Sequence, residues 1–161
     1  MERLVQELMR TCREKKLKVA VVESCTGGLV AKLITDIPGA SDVFDRGFVT
    51  YSNAAKSEML GVKPELIETH GAVSAEVACA LAQGGLKSSR AQLVVALTGI
   101  AGPDGGSKDK PVGLVHIAVA STSAAKGVRN EECYFDGGRS AVRLFAAEKA
   151  LLILQEAAER L

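Results

Sequence analysis

LKVAVVESCTGGLVAKLITDI, residues 17–37, is the stretch from which the fold can be read. Its first six residues form a short, partly β-branched apolar run, the pattern of a strand covered on both faces. ESCTGG then supplies a glycine-containing turn, and LVAKLITDI returns to apolar residues at helical spacing. Strand, turn and helix in immediate succession are the signature of an α/β unit.

The same alternation continues outward. Upstream, Leu4, Val5, Leu8 and Met9 recur at helical spacing and predict an amphipathic helix over residues 2 to 14. Downstream, GFVTY at 47–51 reads as a second strand. Ser52 or Asn53 then caps a short helix, AAKSEML, that ends at Gly61. Pro64 suits the first position of another short helix stopping at Gly71, and Ser74 caps a longer one whose far end Gly84 and Gly85 weaken. LVVALT at 93–98 is a buried strand that runs into GIAGPDGGSKDKPVG, a loop long enough to be functional or disordered. Residues 113–121 and 128–135 form two more strands, joined across 123–127 as an antiparallel hairpin, the last one polar enough for a sheet edge. Residues 140–161 form the closing helix. The expected architecture is an α/β fold, a three-layer α/β/α sandwich with a mixed, mostly parallel five-stranded sheet, occupying residues 1–161 as a single domain.

Composition narrows the function classes. With 161 residues, 47% of them hydrophobic, the chain is long enough for one core and too short for two ordinary domains. Twenty basic against nineteen acidic residues leave a net charge of +1, so no overall field attracts nucleic acid or a membrane surface. There is no tryptophan, and two tyrosines with four phenylalanines do not furnish a base-stacking platform. Cys12, Cys25, Cys79 and Cys133 show no CxxC spacing and read as free thiols. The N-terminus has no apolar signal core and no long apolar run occurs, so a cytoplasmic location is expected. No nucleic-acid or membrane partner is expected, and a homodimer is an open alternative for a compact enzyme of this size.

Ligand sites in sheets of this kind gather beyond the carboxyl ends of strands. ESCTGG, TYSNAAK and TGIAGPDGGS all follow predicted strands. Ser24 stands at the first of these ends, with the amides of Cys25, Thr26, Gly27 and Gly28 suited to a phosphate or to a developing oxyanion. A serine or threonine that merely caps the helix is the competing reading, and the GxSxG elbow of hydrolases is absent. His70 beside Gly71 and His116 in an apolar strand read as structural. A lysine can take over the role of base where burial favours its neutral form, and Lys56 is the candidate, against a solvated surface lysine. Tyr51, five residues earlier, can converge on it across the turn and relay a proton, or be an ordinary packed aromatic. Thr98, Gly99, Ala101, Gly102, Gly105 and Gly106 let main chain approach a ligand closely, although the Walker spacing is absent. Arg139 can form a forked pair with phosphate or simply sit at a helix end. Cys25, a thiol near a helix start, ranks below Ser24 because no histidine partner lies nearby in sequence.

ESCTGG at 23–28, FDRGFVTYSNAAK at 44–56, HGAVS at 70–74, LTGIAGPDGGS at 97–107 and KPVG at 110–113, in this order, resemble the CinA C-terminal domain family over nearly the whole chain. The resemblance implies a three-layer fold with a mixed five-stranded sheet. It also implies Ser24 as nucleophile with Lys56 and Tyr51 as partners, and hydrolysis of nicotinamide mononucleotide to nicotinate mononucleotide and ammonia, in pyridine-nucleotide salvage. The scheme requires no metal or other cofactor, and the only partner it implies is a small-molecule nucleotide substrate. Larger family members carry an N-terminal pyrophosphatase-like domain, so this chain is expected to lack pyrophosphatase activity. In the expected chemistry the amides of Cys25 and Thr26 receive the oxyanion, while Gly27, Gly28, Thr98, Gly99, Ala101, Gly102 and Arg139 hold the substrate. A non-enzymatic nucleotide-binding module and an amidase of different specificity remain the alternatives.

Overall fold

The computed structural model describes residues 1–123 and 127–161. Five strands, β1 (Val19–Glu23), β2 (Phe44–Val49), β3 (Leu93–Gly99), β4 (Leu114–Ser121) and β5 (Val128–Tyr134), form one sheet in the order β2-β1-β3-β4-β5. β1 pairs parallel with β2 and β3, whereas β4 pairs antiparallel with both β3 and β5. Four strands therefore point one way and β4 alone is reversed. The register sets Thr98 opposite His116 and Gly99 opposite Val115, which brings the start of β4 to the carboxyl end of β3.

Helices α1 (Glu2–Glu14), α2 (Leu29–Thr35), α3 (Asn53–Leu60), α4 (Pro64–His70), α5 (Ala75–Lys87) and α6 (Arg139–Glu159) cover the two faces. Alternate residues of each central strand face opposite layers. Val19, Val21, Leu93, Val95, Ile117 and Val119 pack against α1, α2 and α6, while Ala20, Val22, Val94, Ala96, Ala118 and Ala120 pack against α3, α4 and α5. β1, buried along its whole length, supplies both cores. Each fully buried valine or leucine contributes about 1.5–3 kcal/mol through removal of apolar surface from water.

The second face is made of small side chains, which lets α5 lie close to the sheet. Gly84 and Gly85 are the contact. A Cβ on Gly85 would come within 2.8 Å of Val94 and 2.9 Å of Val22, and one on Gly84 would collide with the carbonyl oxygen of Leu60 at the end of α3. α5 continues through both glycines to Lys87. The expected weakening is thus overridden, because close packing of the two glycines offsets their poor helix propensity.

Helix ends follow the expected chemistry. Ser52 accepts the Ala55 N–H at 3.1 Å and Ser74 accepts that of Val77 at 3.3 Å, Pro64 opens α4, and Gly61 ends α3 with φ +67. The second strand lies earlier than expected, at Phe44–Val49 rather than 47–51. β2 is an edge strand with mostly half-buried or exposed side chains, so Asp45 and Arg46 fit there and no apolar run marks it. β4 and β5 pair as the expected antiparallel hairpin, and residues 124–126 of its connection lie outside the described residues.

Candidate active site

The carboxyl ends of β1 and β3, the start of α3, the 100–113 loop and the start of α6 enclose a pocket of about 270 Å³. Ser24, Cys25, Tyr51, Lys56, Thr98, Gly99, Ala101, Gly102 and Arg139 all line it, joined by Asn53, Val73, Asp104 and Gly105. Residues from five segments of the sequence therefore meet where the topology predicts a ligand site.

Ser24 follows β1 directly and is 9% exposed. Its hydroxyl makes no hydrogen bond to the described residues, and none joins it to Lys56, so Oγ remains available to a ligand in the pocket they share. Lys56, on α3, is 2% exposed. Its Nζ donates to the carbonyl oxygens of Thr50 at 3.0 Å and Tyr51 at 3.5 Å, and no carboxylate pairs with it among the described residues. Burial lowers its pKa from the ordinary lysine value, opposed by the neighbouring Cys25 thiol. In the neutral amine two N–H groups serve the carbonyls and a lone pair is left to accept a proton.

Cys25 is nearly as enclosed, at 6% exposure, and burial raises its thiol to about 11, with its own amide, the Arg143 cation and the Thr26 amide acting the other way. At neutral pH it is therefore a thiol rather than a thiolate. The amides of Cys25 and Thr26 donate to no main-chain acceptor among the described residues. Thr26 is fully buried behind the pocket wall, and its carbonyl accepts Arg143 at 2.8 Å.

Gly27 and Gly28 differ from their expected role. The Gly27 N–H is used by Ser24 C=O at 3.0 Å and the Gly28 N–H by the Glu23 carboxylate at 2.9 Å, and neither residue lines the pocket. Their contribution is conformational: φ values of +60 and +96 carry the chain from strand to helix through the left-handed region that glycine alone enters cheaply.

Tyr51 lies two residues past β2 and is 59% exposed. Its hydroxyl accepts a hydrogen bond from Arg139 at 2.9 Å and bonds neither Ser24 nor Lys56. Arg139, the first residue of α6, donates its other nitrogen to Gly102 C=O at 2.9 Å and so ties the glycine-rich loop to the tyrosine at the rim. Thr98 is turned inward, donating to Ala72 C=O at 2.7 Å. His70 and His116 stand apart from the pocket. His70 lies 3.4 Å from Glu76, and His116 lies beside Asn130 at 3.3 Å and Glu132 at 3.7 Å. Among the described residues no group of three or more His, Cys, Asp or Glu side chains is assembled to hold a metal, and no helix is long and apolar enough to cross a membrane.

Two residues that sequence reading passed over shape the site. Glu23 holds three amides at the start of α2, and Arg143 holds the Thr26 carbonyl. An acidic residue directly before a Ser-x-x-Gly-Gly helix start was the available signal for Glu23. The Arg143 contact, spanning 117 residues, had none.

Residues 1–158 match the family model of the CinA C-terminal domain. Over 151 residues the chain is 50% identical to the nicotinamide-nucleotide amidohydrolase PncC of Escherichia coli K12, covering 94% of this chain and 90% of that one. It is 47% identical over 154 residues to a CinA-like protein of Syntrophobacter fumaroxidans, covering 96% of this chain and 35% of that one. The chain thus spans about a third of the length of the longer relatives it matches. Its fold superposes with a TM-score of 0.93 on the crystal structure of the competence/damage inducible protein CihA from Agrobacterium tumefaciens, at 47% identity, covering 98% of this chain and 94% of that one.

Proposed function

The chain belongs to the CinA C-terminal domain family, and from that premise we propose that it is an amidohydrolase that converts nicotinamide mononucleotide and water into nicotinate mononucleotide and ammonia. The observation that carries the reading is Lys56: a lysine buried without a carboxylate partner, deprotonated more easily than usual, in one pocket with an unengaged serine hydroxyl. The difference in length from the longer relatives does not arise with the E. coli amidohydrolase, of which the chain covers 90%.

In the proposed reaction, neutral Lys56 takes the Ser24 proton as Oγ attacks the carboxamide carbon. The oxyanion takes the amide of Cys25, which donates to no main-chain acceptor among the described residues, backed by that of Thr26. Lys56 then returns the proton to the amide nitrogen, the C–N bond breaks, and ammonia leaves an ester on Ser24. Water, deprotonated by Lys56, attacks that ester, and Ser24 regains its proton as nicotinate mononucleotide departs. Tyr51 acts here through its carbonyl on Lys56 and through its hydroxyl on Arg139, with no direct part in proton transfer. The main chain at Gly99, Ala101 and Gly102 and the guanidinium of Arg139 border the space left for the ribose phosphate. The product is a precursor for pyridine-nucleotide synthesis, which places the reaction in salvage.

The test is ammonia release from nicotinamide mononucleotide by the purified chain. Stoichiometric ammonia and nicotinate mononucleotide support the reading. Tight binding without ammonia makes the protein a nucleotide-binding module, and ammonia from other amides alone makes it an amidase of different specificity.

A further inference from the structure

We infer that Glu23 is a positioning residue whose carboxylate fixes the turn carrying Ser24 and, through its own main chain, registers that turn against the segment that holds Lys56. The inference rests on the proposed reaction and adds a residue to its machinery. Glu23 is completely buried, yet no cation pairs with it among the described residues. A carboxylate so placed is tolerable only when its oxygens are saturated by donors. Here one oxygen accepts the amides of Gly28 at 2.9 Å and Val30 at 3.1 Å, and the other accepts that of Ala31 at 2.8 Å.

These are the unsatisfied amides at the positive end of α2, where an anion is favoured. The residue flanking α2 is Gly28, which has no side chain to cap with. Glu23 does that work from the strand, and its length lets it reach past the turn. Residues 24–28 must then loop outward between two fixed ends, which is what places Ser24 and the Cys25 amide on the pocket wall. An acceptor on a nearby residue could cap α2 equally well, but it would not tie the helix to the residue adjoining Ser24.

The main chain of Glu23 extends the coupling. Its C=O accepts the Thr50 N–H at 2.8 Å, and the C=O of Thr50 accepts Nζ of Lys56 at 3.0 Å. Nucleophile and base are therefore both referred to one residue, Ser24 by a peptide bond and Lys56 through a single intervening residue.

Glu23→Gln is nearly isosteric and sets an N–H₂ group against an amide donor in place of one carboxylate oxygen. Against it stands Ile34→Val, which loosens the buried face of the same helix without touching the carboxylate or its amide donors. For both variants we would measure kcat and KM on nicotinamide mononucleotide, thermal midpoint, and amide exchange of residues 25–31. The expected result is a tenfold or greater loss of kcat in Glu23→Gln with KM within about threefold of the parent chain, partial recovery in Glu23→Asp, and faster exchange confined to residues 25–31. Ile34→Val should lower the midpoint and leave kcat unchanged. The inference is overturned if Glu23→Gln keeps kcat within twofold, or if the two variants lose kcat in proportion to their loss of thermal midpoint. Should the parent chain release no ammonia, the proposed reaction fails separately, and unchanged exchange at residues 25–31 in Glu23→Gln then overturns this inference.

Discussion

The guanidinium of Arg139 donates to the hydroxyl of Tyr51 at 2.9 Å, across 88 residues of sequence, and that single bond closes one side of the rim above Ser24. It gives the tyrosine oxygen a partner other than the two residues proposed to exchange the proton. Tyr51→Phe should therefore act chiefly on substrate binding. Loss of a charge-assisted hydrogen bond, about 1.5–3 kcal/mol, sets the upper scale, and KM is expected to rise severalfold with kcat reduced less than tenfold. A fall in kcat of a thousandfold at unchanged KM would assign the hydroxyl a direct part in proton transfer.

Ser24→Ala should reduce turnover by about a thousandfold or more while leaving the fold intact. Cys25→Ala, at the adjacent position, should retain activity within about tenfold and cost on the order of 1 kcal/mol of stability from the small void. With its thiol pushed up to about 11, Cys25 should also react slowly with thiol reagents at pH 8, where roughly one molecule in a thousand is ionised. Steady-state kinetics and alkylation rates on the two variants decide the ranking, and the opposite order would make the sulfur the nucleophile.

Lys56 carries a pH signature. Its folded-state pKa is depressed by burial below the ordinary 10.5. Above the depressed value the folded chain has released a proton that the unfolded chain still holds, so stability rises with pH between that value and 10.5 and the penalty is complete below it. Relative to Lys56→Met, the parent chain should gain thermal stability as pH rises through this window. Both chains carry the same four cysteines, whose ionisation largely cancels in the difference, so the comparison extends up to the ordinary lysine value of 10.5. The rate kcat/KM should climb over the same range, and Lys56→Met should be inactive. A pH-independent difference in midpoint would show that the amine is not perturbed.

Gly84→Ala is expected to cost about 1–3 kcal/mol through overpacking, because the new methyl would meet the carbonyl of Leu60. Leu60 ends the helix that bears Lys56, so part of the strain should reach the base. Chemical denaturation and kcat measured together test this. The prediction fails if the variant is as stable as the parent, or if stability falls while kcat at saturating substrate stays at the parent value.

Much of this arrangement was legible in the residues. The central strands β1, β3 and β4 announce themselves as short apolar runs because both of their faces are covered, and Ser52, Gly61, Pro64 and Ser74 mark helix ends by local chemistry alone. β2 was misplaced because an edge strand need not be apolar. Gly84 and Gly85 were misjudged because propensity treats a helix in isolation, whereas these glycines answer to Leu60, Val22 and Val94. At the site, strand ends located Ser24, Lys56 and the glycine-rich loop. The use of the Gly27 and Gly28 amides by Ser24 and Glu23, and of the Tyr51 hydroxyl by Arg139, depends on side-chain directions that spacing does not encode.

The reversal of β4 leaves the 100–113 loop with its two feet side by side. Ile100 N–H bonds to Leu114 C=O at 2.9 Å and Gly113 N–H to Ile100 C=O at 2.8 Å. What lies between those clasped feet can be exchanged without altering any strand's register. The loop thus supplies one wall of the pocket, through Asp104 and Gly105, without belonging to any strand, and under the proposed reaction replacement of residues 103–111 is expected to change which acyl compound the chamber accepts.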